Sequence, residues 1–191
     1  MDKILTGMKV AVVVANGFCQ EDLVETQRCL AQCGANVRII SSENGLVNGW
    51  QDDSWGHHFA VDMQLNVALS ADYDAVVVPS GTRSGDKLRL TAHTKRFIGG
   101  FMATNKPTFV FGDAMKLMVF IDQVRGRKVN CSDEIKDLVV QAGGECCDKM
   151  PCADDNLMTC DVTADNRAKC IESMSEFFAG YCKDMNEVQA A

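Results

Sequence analysis

The sequence has little positive charge for its size. Its 191 residues include 19 Lys and Arg against 26 Asp and Glu, which gives a formal net charge of −7 at pH 7. Proteins that bind nucleic acid or anionic membranes need a cationic surface to neutralise phosphates. We therefore expect neither nucleic acid nor a membrane among the partners of this protein.

Long apolar segments, repeats and linkers are also missing. No apolar run approaches the roughly 18 residues that a transmembrane helix needs, and the first ten residues lack the apolar core of a secretory signal peptide. These absences predict a cytoplasmic protein. No Pro/Gly-rich linker or low-complexity tract divides the chain, so we expect one domain over residues 1–180 and a C-terminal tail at residues 181–191.

Cysteine, by contrast, is abundant, with ten residues. In a chain with the features of a cytoplasmic protein, they predict reduced thiols that pack as small apolar side chains. Cys29 and Cys33 have a spacing near that of zinc ligands, but the sequence offers no second pair of that kind. We therefore predict no metal site, and we keep Cys147 and Cys152 as candidate redox positions.

Apolar runs rich in valine alternate with longer helical patterns along the chain. This alternation predicts right-handed βαβ units and a flavodoxin-like three-layer α/β sandwich with a mostly parallel central sheet. Residues 45–67 break the alternation and predict a small β-hairpin arm that includes a strand at residues 59–65, and residues 145–158 predict short strands and turns. The other predicted strands are residues 8–15, 37–41, 75–79, 107–111 and 128–131. One predicted helix ends near residue 33, and four others span residues 91–104, 114–120, 133–142 and 164–178.

Three loops of the predicted sheet are candidates for the functional site, because ligands of parallel α/β sheets bind beyond the carboxyl ends of the strands. These loops are residues 16–22, 80–86 and 112–115.

Several segments in and around these loops resemble the motifs of one known family. VAVVVANGFCQEDL resembles a first strand followed by the turn "G-F-E-D-x-E-L", and GLVNGW resembles "G-x-V-x-G-W". DYDAVVVPSG, DKLRL, RGRK and DNLMT resemble "D-Y-D-A-L-V-L-P-G-G", "E-R-V-R-L", "R-G-R-x" and "D-G-N-x-V-T". In their order and spacing, over residues 8–178, these segments are similar to the DJ-1/PfpI superfamily of the class I glutamine-amidotransferase-like fold, and to its PfpI branch most.

The resemblance implies positions for a catalytic site. Active members of the superfamily are cysteine hydrolases, glyoxalases, deglycase-like enzymes or redox sensors, and their nucleophile lies in "A-I-C-H-G-P-x-L-L". Alignment with FGDAMKLM places Gly112 on the Cys, Asp113 on the His and Ala114 on the Gly. The other implied positions are Asp22 for the acid that contacts the Cys, Asp86 for the acid that orients the His, and Ser80 and Gly81 for the oxyanion loop, in which Ser80 replaces a glycine.

The residues at the nucleophile turn do not suit the chemistry of the family. A cysteine mechanism needs a thiolate and a base. Gly112 has no side chain, and Asp113 is no base near pH 7 unless its pKa rises by several units. The resemblance therefore implies a non-catalytic member that binds a small molecule or a protein partner, has no cofactor, and forms a homodimer or a higher homo-oligomer.

Two other functions stay open. In the first, Asp22, Asp86 and Asp113 gather in one pocket as an acid/base pair or a cation site, and Cys19 supplies a displaced nucleophile, which would give a hydrolase or a glyoxalase- or deglycase-like enzyme. Against this, loop acids also cap helices, and neighbouring carboxylates raise the pKa of a thiol such as Cys19. In the second, an exposed cysteine acts as a redox sensor.

Two tryptophans flank an acidic turn in the predicted arm. Trp50 and Trp55 either anchor a dimer or pack the arm locally.

Overall fold

The computed structural model of the protein describes the backbone of residues 3–189 and the side chains of residues 3–182. Within this range the strands are β1 Lys9–Val14, β2 Phe18–Cys19, β3 Asn36–Ser41, β4 Leu46–Gln51, β5 Ser54–Ala60, β6 Met63–Gln64, β7 Ala75–Val78, β8 Thr108–Phe111, β9 Lys128–Val129, β10 Glu145–Cys146, β11 Cys152–Asp154 and β12 Leu157–Cys160. The helices are α1 Gln20–Gln32, α2 Thr82–Leu88, α3 Ala92–Ala103, α4 Met115–Phe120, α5 Asp133–Gln141 and α6 Arg167–Gln189.

A seven-stranded sheet lies at the centre of the fold, in the order β11-β12-β8-β7-β1-β3-β6. Its neighbouring strands are parallel, except that β11 runs antiparallel to β12. The central strands are fully buried apolar runs such as AVVV in β7, as expected for a sheet covered on both faces. The predicted flavodoxin-like sandwich with a mostly parallel sheet is confirmed.

The two faces of the sheet belong to two apolar cores, because successive side chains of a strand point to opposite faces. Ala11 and Val13 of β1 pack with Phe97 of α3 in the core that α4 and α5 also cover. Val12 packs with Leu23 of α1 in the other core, which α6 completes. Burial of this kind contributes about 1.5–3 kcal/mol for each large apolar side chain. Strands β1, β7 and β8 are adjacent, so the loops that follow them meet at one edge.

The predicted arm is present, with β4 and β5 antiparallel and β2 beside β4 in a separate three-stranded sheet. The strand predicted at residues 59–65 is wrong, because β5 ends at Ala60 and β6 belongs to the central sheet. The change of sheet occurs at Asp62, whose carboxylate accepts the amide N–H of Ile39 in β3 at 2.7 Å. Trp50 and Trp55 pack edge to face at 5.3 Å between ring centroids, which supports local packing of the arm.

The side chain of Gln20 connects the arm to the start of α1 by hydrogen bonds. The buried side-chain oxygen of Gln20 accepts the amide N–H of His57 at 2.6 Å, and its Nε2 donates to Gln51 at 2.5 Å. A Cβ on Gly56 would lie 2.1 Å from the same oxygen. The glycine therefore leaves the room that this hydrogen-bonded side chain needs.

Two helices differ from the sequence prediction. The loop predicted at residues 80–86 contains most of α2, which begins at Thr82. The closing helix was predicted to end at residue 178, but α6 continues to Gln189, because the sequence after Gly180 contains no proline or glycine that would end it. The proposed domain boundary at residue 180 thus falls inside a helix, and residues 190–191 lie outside the described residues. No helix within the described residues combines the length and the apolar content that crossing a bilayer requires.

The prediction of uniformly reduced cysteines is wrong for one pair. Cys160 at the end of β12 and Cys170 in α6 are joined by a disulfide. Their Cα atoms are 6.5 Å apart, within the usual range for a disulfide, because the first turns of α6 pack next to β12. The other eight cysteines are free thiols.

Candidate functional site

The turn after β8 is the centre of the candidate site. A 3₁₀ turn at Gly112–Ala114 joins β8 to α4, and Gly112 has a φ of +44°. Residues other than glycine adopt this region rarely, mostly at strained functional turns. A Cβ on Gly112 would lie 3.4 Å from the Cβ of Ser80 and 3.9 Å from the amide nitrogen of Val162, which are ordinary contact distances. The turn therefore has the space for a side chain, at a φ that would strain one, but carries none, and Ala114 is buried in the core behind it.

Asp113 is bound to the start of helix α2. Its Oδ1 accepts the amide N–H of Gly81 at 2.7 Å, and its Oδ2 accepts the hydroxyl of Thr82 at 2.5 Å. Gly81 has a φ of +130°, and a Cβ there would come within 2.7 Å of the carbonyl oxygen of Gly17. Both carboxylate oxygens of Asp113 are thus engaged at a helix start, where a negative charge is stabilised.

Asp22 lies in the first turn of α1 and is fully buried. Its Oδ1 accepts the Nε–H of Arg167 at 2.9 Å, and Arg167 also pairs with Glu21. Burial by itself lowers the pKa of Arg167, but the hydrogen bond and the charge of Asp22 reverse this effect and raise it. The guanidinium therefore stays charged, and Asp22 is one half of a buried ion pair.

Ser80 is the second partner of Asp22. Its amide N–H donates to Oδ2 of Asp22 at 3.0 Å, and its hydroxyl donates to the same oxygen. The Cβ of Ser80 is also the atom that a side chain on Gly112 would touch first. Two of the departures from the family motif, Gly112 and Ser80, are thus neighbours in space. The serine hydroxyl satisfies the buried acid that, by the resemblance, would otherwise contact a cysteine.

The loop that the resemblance implies for an oxyanion has no unoccupied amide at Ser80 or Gly81. The amide of Ser80 donates to Asp22, and the amide of Gly81 donates to Asp113. An oxyanion hole stabilises developing negative charge with N–H groups that point at the reacting oxygen. Here both N–H groups are bound to carboxylates, which would repel such an oxyanion.

Cys19 is a half-buried thiol at the end of β2, with Nη2 of Arg167 at 3.9 Å from its Sγ. Burial and the charge of Asp22 raise the pKa of Cys19, and the opposing effects of Arg167 and of hydrogen bonding from Ser80 are smaller. The thiol is therefore protonated at neutral pH. It lacks the lowered pKa that marks a nucleophilic cysteine.

Asp86 does not join the other acids. Its side chain is exposed on α2 and pairs with Arg89 at 3.2 Å. With Asp113 it borders a cavity of about 220 Å³ whose apolar wall includes Phe120 and Leu138, whereas Asp22 is buried with Arg167. The structure thus does not gather the three acids in one pocket. Among the side chains of residues 3–182, no group of three or more His, Cys, Asp or Glu is arranged to hold a metal ion.

An open cleft of about 540 Å³ lies beside the buried turn. The guanidinium of Arg83 stacks over the ring of Trp50 at 4.0 Å and forms one side of this cleft. The full set of lining residues is Gly17, Cys19, Glu21, Trp50, Gln51, Asp52, Asp53, Gly81, Thr82 and Arg83. The cleft reaches Cys19 and Gly81, while Gly112 itself is buried.

Sequence reasoning missed Arg167 and the role of Ser80 as a partner of Asp22. A buried aspartate requires a cation, but nothing in the sequence indicates which of the 19 Lys and Arg supplies it. Arg167 lies 145 positions after Asp22. Only the packing of α6 against α1 brings the two residues together.

Comparison with known proteins agrees with this architecture. The DJ-1/PfpI family model matches residues 8–176. A deglycase of Pyrococcus horikoshii is 28% identical over 158 residues, which are 83% of this chain and 92% of the deglycase. The fold is similar, with a TM-score of 0.79, to that of a two-domain Anabaena variabilis protein with DJ-1/ThiJ/PfpI-like and ferritin-like domains. The identity is 23%, over 90% of this chain and 49% of that protein, so this chain spans about half of the length of the two-domain protein. It is similar to Drosophila melanogaster DJ-1beta with the same TM-score of 0.79, at 16% identity over 91% of both chains.

Proposed function

This chain belongs to the DJ-1/PfpI family, and we propose that within that family it is a small-ligand-binding protein without covalent catalysis. The observation that supports the proposal is the turn at Gly112, where the resemblance implies a nucleophile and the residue is a glycine with a φ of +44° and no reactive atom. Nucleophilic catalysis needs an attacking atom, a base that activates it and donors for the oxyanion.

The neighbouring groups support the same proposal. Asp113 uses both carboxylate oxygens at the start of α2, and Asp22 is paired with Arg167. The amides of Ser80 and Gly81 donate to these two acids. Each component of a cysteine mechanism is thus either missing or engaged in a structural contact.

The cleft indicates the chemical class of the ligand. Its walls contain one stacked cation–aromatic pair, Arg83 on Trp50, and three acids, Glu21, Asp52 and Asp53. Acids at a cleft raise the local concentration of cations. We propose a small polar ligand that carries an amine, with its flat or apolar part against Trp50.

Binding can be tested separately from turnover with a panel of small primary amines and the matched carboxylic acids. We expect the amines to shift the indole N–H resonance of Trp50 and to be recovered unchanged, and we expect the acids to have no effect. Asp53→Asn should weaken the amine-induced shift, whereas Asp148→Asn, an exposed site outside the cleft, should leave it as in the wild type. Equal responses to amines and acids would contradict the proposed ligand class.

The alternative of a rebuilt enzyme makes a different prediction in the same samples. A protein that uses Cys19 or Asp113 would convert an α-oxoaldehyde such as methylglyoxal, and Cys19→Ser or Asp113→Asn would abolish the turnover. The raised pKa of Cys19 argues against this alternative. Turnover with that dependence would replace the binding proposal by an enzymatic one.

A further inference from the structure

Two free thiols touch beside the core that α3, α4 and α5 cover, away from the cleft. Cys131 lies just before α5, and Cys146 is the last residue of β10. Their Sγ atoms are 3.4 Å apart, and both side chains are half-buried. Neither residue belongs to the family motif or lines the cleft.

The backbone around both thiols is fixed by hydrogen bonds. β9 and β10 pair in parallel, with Val129 opposite Cys146. Next to this pair, the side-chain Nδ2 of the buried Asn130 donates to the carbonyl oxygen of Cys147 at 3.0 Å. The backbone N–H of Asn130 donates to the hydroxyl of Thr159 at 2.7 Å. The contact between the thiols is therefore set by several elements of the fold.

We propose that Cys131 and Cys146 form a reversible disulfide by exchange with a low-molecular-weight disulfide of the glutathione class. A disulfide has an S–S length of about 2.05 Å, so the two sulfur atoms have to approach by side-chain rotation from their present contact. The bond would close a loop that contains the whole of α5. This redox site is independent of the turn at Gly112.

The protonation of the pair gives the order of the steps. Burial and the neighbouring Cys146 thiol raise the pKa of Cys131 to about 12, so Cys131 is the poorer first nucleophile and we assign the first attack to Cys146. Cys146 attacks one sulfur of glutathione disulfide, whose S–S bond breaks and releases one glutathione. Cys131 then loses its proton and attacks Sγ of Cys146, which releases the second glutathione. In total two protein thiols are oxidised and one glutathione disulfide is reduced to two thiols.

A second thiol pair provides an internal comparison. Cys147 and Cys152 also interact, and Cys152 is buried with its pKa raised to about 12 by burial and by Cys147. Cys147 follows the end of β10 and its thiol interacts with Cys152, whereas the thiol of Cys146 contacts Cys131. The proposal thus names one linkage, and a linkage through Cys147 is a distinct outcome.

The experiment equilibrates the reduced free thiols of the full chain in glutathione buffers of increasing oxidised fraction, without oxygen. Remaining thiols are blocked with N-ethylmaleimide, and non-reduced peptides are mapped by mass spectrometry. We expect the wild type to give a Cys131–Cys146 linked peptide and no glutathione on either residue. Cys131→Ser should retain glutathione on Cys146, because the resolving thiol is gone. Cys182→Ser is the control, because Sγ of Cys182 contacts the sulfur of Met8 and not a cysteine. This variant should behave as the wild type.

Three results would overturn the proposal. The first is a wild type in which Cys131 and Cys146 are both recovered as blocked thiols at the most oxidised ratio. The second is a wild type that accumulates glutathione on Cys146, and the third is a linkage through Cys147 in place of the predicted one. The wild-type results stand by themselves if Cys131→Ser fails to fold.

Discussion

Asp22 is held by residues from distant parts of the chain. Its partners are Arg167 at the start of α6 and Ser80 after β7, and its own side chain is fully buried. Removal of one partner of a buried ion pair leaves an uncompensated charge, which costs far more than the pair itself contributes. The contacts of Asp22 with Arg167 and Ser80 are therefore expected to contribute to stability.

The ion pair gives the first prediction. We expect Arg167→Met to lower the free energy of unfolding by about 3–5 kcal/mol, since Asp22 would stay buried without its cation. Lys169→Met, at an exposed position of the same helix, should change it by less than about 0.5 kcal/mol. Urea denaturation followed by circular dichroism measures both values. Similar stabilities for the two variants would contradict a structural role for the pair.

Asp161 gives a prediction on pH dependence. Burial, followed by the charges of Asp133, Asp113 and Glu134, raises the pKa of Asp161 above its ordinary value of 3.8. A carboxyl with a higher pKa in the folded state binds its proton more tightly there, so stability falls as the pH rises through the folded pKa. Asp161→Asn removes this loss. We expect the variant to be more stable than the wild type at pH 7, with a difference that shrinks as the pH falls through the raised folded pKa of Asp161 and is lost below its ordinary value of 3.8.

Urea midpoints over this pH range measure the effect. Asp165→Asn removes the same formal charge from an exposed site and is the control. A stability gain for Asp161→Asn that is equal at all pH values, or a gain of the same size in the control, would assign the effect to something other than the titration of Asp161.

At the scale of elements, the start of α2 shows what sequence patterns cannot reveal. Long valine-rich strands are predicted correctly, because burial on both faces leaves a local pattern in the sequence. The start of α2 at Thr82 instead depends on Asp113, which follows 31 positions later. The sequence prediction therefore gave a loop at residues 80–86, and it treated Asp113 as a catalytic candidate.

The contact between Asp113 and α2 gives the third prediction. Asp113→Ala removes the acceptor of two hydrogen bonds at the helix start, and we expect a loss of about 1–2 kcal/mol in the free energy of unfolding. Asp86→Ala removes an exposed acid from α2 itself and should cost less than about 0.5 kcal/mol. Thermal and urea unfolding report the difference. No loss in Asp113→Ala would show that this acid does not stabilise the helix.

Two helix glycines give a matched fourth prediction. A Cβ on Gly180 in α6 would meet nothing within 4 Å, whereas a Cβ on Gly100 in α3 would lie 2.1 Å from Oγ of Ser70. We expect Gly180→Ala to stabilise the protein by up to about 1 kcal/mol, and Gly100→Ala to destabilise it by about 1–3 kcal/mol. Differential scanning calorimetry of both variants tests the packing of α3. Stabilisation by both substitutions would contradict it.

At the scale of the whole molecule, the chain has the fold of the DJ-1/PfpI family, and Ser80, Gly112 and Asp113, which depart from its motifs, lie in the loops that follow β7 and β8. The fold was predictable because apolar periodicity and motif order extend over most of the chain. The arrangement of the acids was not, because it depends on Arg167 and Ser80, which bind Asp22 from distant parts of the chain. The Cys160–Cys170 disulfide could not be predicted for the same reason, since only tertiary packing places the two residues together.

Self-association is a property of the whole molecule and gives the fifth prediction. Large apolar side chains are exposed around the cavity of about 220 Å³ that Asp86 and Asp113 border. Phe120 is 59% exposed and Leu138 is 41% exposed. We propose that this face contributes to a homodimer. Sedimentation velocity should show a dimer that Phe120→Ser weakens and that Val67→Ser, at another exposed apolar position, leaves intact. A monomer at all concentrations, or equal weakening by both variants, would contradict this interface.

The absence of a reactive atom at residue 112 is tested most directly by the turnover of methylglyoxal. The comparison uses the wild type, Cys19→Ser and Gly112→Cys, with loss of the aldehyde followed by nuclear magnetic resonance. We predict no turnover above the buffer rate for any of the three, because a thiol at residue 112 would still lack a base and unoccupied oxyanion donors. Turnover by the wild type that Cys19→Ser abolishes would contradict the account.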